Sequence, residues 1–291
     1  MDLVVATPAF LDMTLVGLEG LPALGQERFA GDLLRSPGGG AITAVAAARL
    51  GLRTALVAPL GDDVAGELVR GELEREGVTV TATRTWRTPQ TLVMPVGEER
   101  AMITVDPGAR ARKEDIAEHS PSAVAANLDQ LHLLPDGARA YVTCGDDDAR
   151  AFALKPPAAI GRASVLFLDR QDALLLTGAT ALDAALSRLA ELVEMVVIPH
   201  GAHGSVAVIE GERVETPDFD TGPVVDTTGD CDLRCAAYAW SHLRGGDAVE
   251  SLLWAQLYSK LATTVPTATG GAVTHERLLA EGASRGLAPP A

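Results

Sequence analysis

Residues 36–51 read Ser-Pro-Gly-Gly-Gly-Ala-Ile-Thr-Ala-Val-Ala-Ala-Ala-Arg-Leu-Gly. Three consecutive glycines let the backbone approach a ligand or a neighbouring element closely, and the alanine-rich run after them favours a helix over 41–50. The apolar run 54–58 follows and is typical of a buried strand. This stretch predicts a helix that begins at a glycine-rich turn and packs beside a sheet, with anions or polar groups favoured at its N-terminus.

The alternation of strand and helix continues along most of the chain. Short apolar runs predict buried strands, and apolar residues at helical spacing predict the helices between them. We expect strands at 3–6, 54–58, 165–168 and 195–198, helices at 41–50, 64–76, 181–193, 232–243 and 248–263, and a hairpin at 206–215. Repeated strand–helix–strand units predict an α/β fold with a mostly parallel sheet covered by helices on both faces.

Three other segments, 12–16, 28–34 and 91–104, alternate polar and apolar residues as exposed antiparallel strands do. They predict a small accessory sheet, a lid whose strands lie within about 12–34 and 91–104. Because we find no internal repeat and no low-complexity linker, we expect residues 1–291 to form one domain.

The composition restricts the partners. Of the 291 residues, 47% are hydrophobic and 22% charged, which excludes a disordered chain. The formal net charge of −15 opposes binding to nucleic acid or anionic membranes, so a small molecule is the expected partner. Three cysteines are too few for a disulfide framework, and we see no signal-like or membrane-spanning segment. We therefore expect a reduced, cytoplasmic protein.

Residues 225–232 read Val-Asp-Thr-Thr-Gly-Asp-Cys-Asp and run into a predicted helix. Together with 36–51, Gly61-Asp62-Asp63 and 201–204 (Gly-Ala-His-Gly), they resemble, in the right order, the signature segments of the PfkB family of small-molecule kinases. The family's C-terminal signature reads Asp-Thr-x-Gly-Ala-Gly-Asp at this point. The resemblance implies a ribokinase-like three-layer sandwich with a mostly parallel sheet and a small β lid, and a homodimer formed through that lid.

The resemblance also implies a reaction, in which the γ-phosphate of ATP passes, with Mg²⁺, to a hydroxyl of a sugar, nucleoside or related compound. In this motif, backbone N–H groups at a helix start hold the phosphates, and the final Asp takes the proton from the hydroxyl. Asp232 is that base by position, and the anion hole is formed by Gly229, Asp230 and Cys231. The implied substrate contacts are Asp12, Gly38, Gly39 and Thr43. The implied nucleotide contacts are Gly201, Gly204, Thr227 and Gln256, and the implied metal ligands are Asp169 and Asp172.

Several of these residues differ from the family pattern. Thr43 and Gln256 each stand where the family has Asn, and residues 169–172 (Asp-Arg-Gln-Asp) stand where it has Asn-x-x-Glu. Asp230 and Cys231 replace Ala and Gly in the anion hole. A carboxylate there is expected to repel phosphate by on the order of 1–4 kcal/mol, unless it recruits a second Mg²⁺. Cys231 is expected to strain the turn if the turn needs a positive φ.

These differences leave alternatives open. One is a kinase-fold protein that binds a ligand without transferring phosphate, and another is the same scaffold reused for different chemistry. Cys231 and Cys235, four residues apart, could form a metal or redox pair, or could simply be buried on a packed helix. Asp232 could cap the helix, and Asp12 could be an ordinary solvated carboxylate.

Overall fold

Strands and helices alternate along residues 1–96 and 99–290, which are the residues described by this computed structural model. The strands are β1 (Leu3–Ala6), β2 (Ala9–Val16), β3 (Asp32–Gly39), β4 (Thr54–Gly61), β5 (Thr79–Thr85), β6 (Gln90–Val96), β7 (Glu99–Val105), β8 (Ala123–Asn127), β9 (Arg139–Cys144), β10 (Ala163–Leu168), β11 (Met195–Pro199), β12 (Ser205–Ile209) and β13 (Glu212–Thr216). The helices are α1 (Gly40–Arg49), α2 (Val64–Arg75), α3 (Lys113–Glu118), α4 (Asp146–Ala151), α5 (Arg170–Thr177), α6 (Leu182–Ala190), α7 (Asp230–Leu243), α8 (Ala248–Ala262), α9 (Ala268–Gly271) and α10 (His275–Ser284).

The main sheet has nine strands in the order β13-β12-β11-β10-β9-β8-β1-β4-β5. The strands from β11 to β5 run parallel to their neighbours, while β12 and β13 are antiparallel and form the hairpin expected at 206–215. The predicted α/β fold with a mostly parallel sheet is therefore confirmed.

Helices cover both faces of this sheet. Because side chains alternate between the faces of a strand, Leu3 and Val5 of β1 belong to one core, with residues of α1, α2, α7, α8 and α10. Val4 and Ala6 belong to the other core, with residues of α3, α4, α5 and α6. The molecule is thus three-layered, as the sequence predicts.

The second sheet has four strands in the order β3-β2-β6-β7. Residues 12–16, 32–34, 91–96 and 99–104 lie in it, whereas residues 97–98 of the predicted segment 91–104 lie outside the described residues. Two details of the prediction are wrong. Residues 28–31 are not in a strand but belong to the loop between β2 and β3. This loop returns to β2 only at Gly31, whose amide donates to Val16 O at 2.7 Å. Also, β2 and β6 pair parallel, because the connection between them first passes through β4 and β5.

The predicted helices and strands differ from the observed ones mainly at their ends. The helix expected at 232–243 begins two residues earlier, at Asp230, and the helix expected at 181–193 covers only 182–190. Within the described residues no single helix is long and apolar enough to cross a bilayer. Helices α5 and α6 meet that criterion only jointly, by length and composition, with a bend of 65° between them.

Candidate active site

The candidate site lies at the N-terminus of α7. Gly229 caps this helix with φ 74°, a left-handed conformation that L side chains rarely adopt. A Cβ on Gly229 would also lie 2.8 Å from Ile42 Cδ1 and 2.9 Å from Ala268 Cβ. Glycine is therefore required both for the backbone turn and for the close packing of α7 against α1 and α9.

The first turn of α7 provides donors for an anion. The N–H groups of Cys231 and Asp232 have no acceptor within the helix because they lie in its first turn, and the helix dipole adds positive potential there. Just before the helix, Thr228 is 9% exposed, and its Oγ1 is buried without a hydrogen-bond partner among the described residues. Such an unsatisfied buried hydroxyl is uncommon in a folded protein and supports a ligand position beside this turn.

Asp232 lies in this first turn and is oriented by α1. Its Oδ1 accepts a hydrogen bond from Thr43 Oγ1 at 3.2 Å, so two residues 189 positions apart in sequence meet here. Burial raises the pKa of Asp232 to about 7, and the negative charges of Asp12 and Asp230 add to this. Asp232 does not cap the helix, because the N-cap is Gly229 and makes no side-chain capping bond.

Asp12 faces the same site from the small sheet. It is 7% exposed, and burial together with the charge of Asp226 raises its pKa to about 7. It is therefore not the solvated carboxylate considered as an alternative. A Cβ on Gly38 would lie 2.2 Å from the Asp12 carboxyl group, and one on Gly39 would lie 2.3 Å from Phe10 Cδ2. Because neither glycine has a side chain, Asp12 and Phe10 of β2 can pack closely against the backbone of β3.

Asp226 ties the loop before α7 to the C-terminal part of the chain. Its Oδ1 accepts from the amide of Thr228 at 2.8 Å and its Oδ2 accepts from the amide of Thr267 at 2.9 Å. Thr267 has φ 62°, an uncommon conformation for a β-branched residue. Strained backbone of this kind clusters at functional sites, and here the Asp226 carboxylate holds it in place.

Asp230 is paired inside the protein. Its Oδ2 accepts from Nε of Arg234, one helical turn further along α7, at 2.8 Å, and its Oδ1 accepts a hydrogen bond from Ser259. Although burial opposes ionisation, the charge of Arg234 and these hydrogen bonds hold the pKa of Asp230 below its usual value. Both carboxylate oxygens are thus engaged by protein donors. The expected repulsion of phosphate is reduced accordingly, because the charge of Asp230 is balanced by Arg234.

Arg234 extends this pair into a buried polar network between α7, α8 and β12. The residue is 3% exposed, and its Nη1 donates to Ser205 Oγ at 3.0 Å and to Gln256 Oε1. Gln256, which is fully buried, donates from its Nε2 to Asp218 Oδ1 at 3.2 Å. The structure therefore places the amide of Gln256 within this network, where its oxygen and its nitrogen already have partners.

Cys231 does not strain the turn, contrary to the expectation. It lies in the first turn of α7 and is not among the residues with positive φ, so the left-handed position belongs to Gly229. Burial raises the pKa of Cys231 and of Cys235, which disfavours the reactive thiolate. No group of three or more His, Cys, Asp or Glu residues in 1–96 and 99–290 could hold a metal ion. Cys235 is buried and Cys231 half-buried, and the raised pKa of both thiols favours unreactive cysteines.

Asp169 and Asp172 lie at the carboxyl end of β10, where α5 begins. Asp169 is the N-cap of α5 and accepts from the amide of Asp172 at 2.8 Å. Asp172 is 6% exposed, and burial together with the nearby charge of Asp169 raises its pKa to about 7. A hard dication would compensate the desolvated carboxylate of Asp172 together with the exposed carboxylate of Asp169 beside it. Mg²⁺ is usually held by one or two carboxylates completed by water and phosphate oxygens. The two residues therefore fit Mg²⁺.

The predicted nucleotide contacts lie in three different places. Gly201 and Gly204 form the turn between β11 and β12 with φ 57° and 82°, and a Cβ on Gly204 would lie 2.0 Å from Thr216 O. Gly204 is thus needed for the packing of the hairpin, whatever its relation to a nucleotide. Thr227 lies two residues before the helix cap Gly229, and its Oγ1 accepts from Arg100 Nη1 at 2.5 Å.

The sequence reasoning missed four residues that shape this site: Arg100, Asp226, Arg234 and Thr267. Arg234 had a signal in the sequence, because Asp230 and Arg234 stand at the i,i+4 spacing of helical ion pairs. Asp226 is the first residue of the C-terminal signature, but the motif alone does not show that its carboxylate holds the amides of Thr228 and Thr267. Arg100 and Thr267 act through contacts between residues more than forty positions apart in the chain, for which the sequence pattern gives no spacing rule.

The chain is similar to characterised kinases in sequence. A family model described as pfkB family carbohydrate kinase matches residues 29–274. An acarbose 7(IV)-phosphotransferase from Actinoplanes sp. is 27% identical over 251 residues, which cover 79% of this chain and 81% of the relative. An ATP-dependent ribose-1-phosphate kinase from Halopiger xanaduensis is 28% identical over 263 residues, covering 80% and 85%.

Solved structures share the fold. Ribokinase from Thermotoga maritima superimposes with a TM-score of 0.82 at 19% identity, covering 97% of this chain and 99% of that one. Ribokinase from Arabidopsis thaliana, solved in complex with ribose and ATP, gives a TM-score of 0.78 at 22% identity, covering 96% and 98%. At these identities the likeness establishes the ribokinase-like fold.

Proposed function

Since the chain belongs to the pfkB family of carbohydrate kinases, we propose that it transfers the γ-phosphoryl group of ATP to a hydroxyl of a sugar, nucleoside or related compound. The observation that carries the proposal is the position of Asp232. A half-buried carboxylate with a pKa of about 7 lies in the same helical turn as backbone N–H groups able to hold phosphate. A proton acceptor and an anion site are thereby adjacent, which phosphoryl transfer to a hydroxyl requires.

Each residue has a role in this proposal. Asp232 accepts the proton of the acceptor hydroxyl as the new O–P bond forms, and Thr43 orients the carboxylate. Amides of the first turn of α7, after Gly229, stabilise the charge on the transferred phosphoryl group. Asp12 accepts hydrogen bonds from other hydroxyls of the acceptor. The acceptor class is supported by relatives named for acarbose and for ribose 1-phosphate.

We further propose that Asp169 and Asp172 hold Mg²⁺, which when bound neutralises charge on the phosphates of ATP. The nucleotide contacts predicted at Gly201, Gly204 and Thr227 belong to the same proposal. Gln256 would act on the nucleotide only through its network with Arg234 and Asp218.

We also propose a cytoplasmic homodimer formed through the small sheet. Its edge strand β7 exposes Met102, Ile103 and Val105 by more than half of their surface, together with an unpaired backbone edge. A second copy would cover both, and exposed apolar edge strands are otherwise aggregation hazards. Light scattering of the purified protein tests this, because a monomeric mass would contradict it.

The alternative without phosphoryl transfer rested on Asp230 and Cys231. The pairing of Asp230 with Arg234 and the helical conformation of Cys231 remove much of its basis. The third alternative, different chemistry at Asp230, Cys231 and Asp232, is not favoured either, because Asp230 is held by Arg234 and Cys231 has a raised pKa.

The raised pKa of Asp232 predicts the pH dependence of turnover. A general base works only when it is deprotonated, so turnover measured as ADP formation should rise with pH through about 7 and level off above it. Below about pH 6 the rate should fall roughly tenfold per pH unit, and more steeply if Asp12, whose pKa is also about 7, must be ionised as well. A rate that is flat between pH 5 and 8, with the chemical step rate-limiting, would contradict the assignment of Asp232 as base.

A further inference from the structure

Arg100 connects the small sheet to the loop that leads into α7. It lies near the start of β7, and its Nη1 donates to Oγ1 of Thr227, 127 residues further along the chain. Thr227 is only two residues before Gly229, which caps the anion-binding helix. A cationic side chain of the small sheet therefore lies directly beside the proposed phosphate position.

The register of the small sheet shows which way Arg100 points. Asp12 of β2 pairs with Thr91 of β6, and Thr91 pairs with Thr104 of β7. Because side chains alternate along a strand, residues 104, 102 and 100 lie on the same face as Asp12. The bond at 3.1 Å between Thr91 Oγ1 and Thr104 Oγ1 agrees with this. Arg100 therefore projects from the face of the sheet that covers the site.

The carboxylates around the loop before α7 create negative charge that the guanidinium of Arg100 can offset. The site contains Asp12, Asp226, Asp230 and Asp232, and a phosphate would add further negative charge. The positive charge of Arg234 is paired with the carboxylate of Asp230 within the buried network. Arg100 is exposed, and its contact in the loop is a neutral hydroxyl, although its charge reaches far enough to help lower the pKa of Asp230.

A phosphate oxygen would compete successfully with Thr227 for this guanidinium. Hydrogen bonds from arginine to an anionic oxygen are about twice as strong as those to neutral acceptors, and the planar guanidinium can bind two phosphate oxygens at once. We propose that Arg100 binds the γ-phosphoryl group of ATP from the small sheet and stabilises the charge that this group carries during transfer. The proposal rests on the proposed function and deepens it.

The test compares Arg100→Met with Arg35→Met, the same change at an exposed arginine of β3 in the same sheet. Arg35 pairs with Met13, next to Asp12 in β2, so it lies on the opposite face of the sheet and serves as the matched control. We expect Arg100→Met to weaken ATP binding, measured by calorimetry, about tenfold or more and to leave ADP binding unchanged, since ADP has no γ-phosphate. Turnover should fall roughly a hundredfold or more, because an arginine on the transferred phosphoryl group contributes strongly to its transfer. Arg100→Lys should retain part of both, whereas Arg35→Met should match the wild type.

The binding measurement separates this proposal from the proposed function. If the wild type never transfers phosphate but Arg100→Met still loses its preference for ATP over ADP, the proposed function fails and the contact to the γ-phosphate stands. An unchanged ratio of ATP to ADP affinity would overturn the role of Arg100. An effect confined to the KM of the acceptor would overturn it too, because Arg100 would then bind the acceptor.

Discussion

Replacing Asp232 by asparagine is expected to lower turnover by roughly a hundredfold or more, because general-base catalysis contributes about that much. The amide has nearly the shape of the carboxylate and can still accept the hydrogen bond from Thr43, so the fold of the α7 N-terminus should persist. It cannot accept the proton of the acceptor hydroxyl. The loss should therefore appear in kcat, measured as ADP formation at saturating substrates, while the KM values for ATP and acceptor change little.

The matched control is Asp136→Asn, the same substitution at a fully exposed carboxylate whose side chain makes only a loose contact at 3.7 Å with Arg162. It should leave kcat unchanged. Near-normal turnover of Asp232→Asn would place the base elsewhere and remove the observation on which the proposed reaction depends. A loss of binding without a loss of kcat would likewise contradict its role as base.

Replacing Asp230 by alanine is expected to reduce the free energy of unfolding by about 3–5 kcal/mol, the usual effect of removing one partner of a buried ion pair. The Arg234 side chain is 4% exposed, so its charge would be left largely desolvated, with only neutral acceptors on Ser205 and Gln256. The change is measured by chemical denaturation.

A double-mutant cycle isolates the pair. Asp230→Ala combined with Arg234→Met should recover most of the stability, because replacing both charges by apolar groups is often neutral. The control is the exposed pair of Asp146 and Arg150, which has the same i,i+4 spacing but side chains 64% and 67% exposed. Asp146→Ala should cost only about 0.3–0.5 kcal/mol. Equal losses at positions 146 and 230, or no recovery in the double variant, would show that Asp230 and Arg234 are not coupled as the structure indicates.

Much of the fold could be predicted from the sequence because the signal is local. Buried parallel strands read as short apolar runs, and the positions of β1, β4, β10 and β11 followed from them. The small sheet was harder to predict. Its strands are exposed and weakly patterned, and the parallel pairing of β2 with β6 depends on a connection through the main sheet that alternation alone does not reveal.

The part of the candidate site that lies within a sequence motif could be predicted. Residues 229–232 form a helix start that a glycine followed by small and acidic residues indicates, and the structure has it there. The motif does not predict the direction in which each side chain of that turn points. Asp230 and Asp232 are two residues apart on one helix, yet one bonds inward to Arg234 and the other to Thr43. The residues that surround each carboxylate decide its direction, and many of them come from distant parts of the chain.

The contact of Arg100 with Thr227 illustrates the same limit. An exposed arginine near the start of an exposed strand reads as an ordinary solvated residue, and 127 positions separate it from its partner. Only the register of β6 and β7, which sets the face on which Arg100 lies, gives it a role at the site.

We expect this site to transfer phosphate although Asp230 and Cys231 stand where the family signature has Ala and Gly. The direct measurement incubates the purified protein with Mg²⁺, ATP labelled at the γ-phosphate, and monosaccharides, sugar phosphates, oligosaccharides or nucleosides in turn. We expect label to appear covalently on at least one acceptor, in molar balance with the ADP formed. Release of label only as inorganic phosphate, or no ADP formation with any acceptor, would contradict the claim.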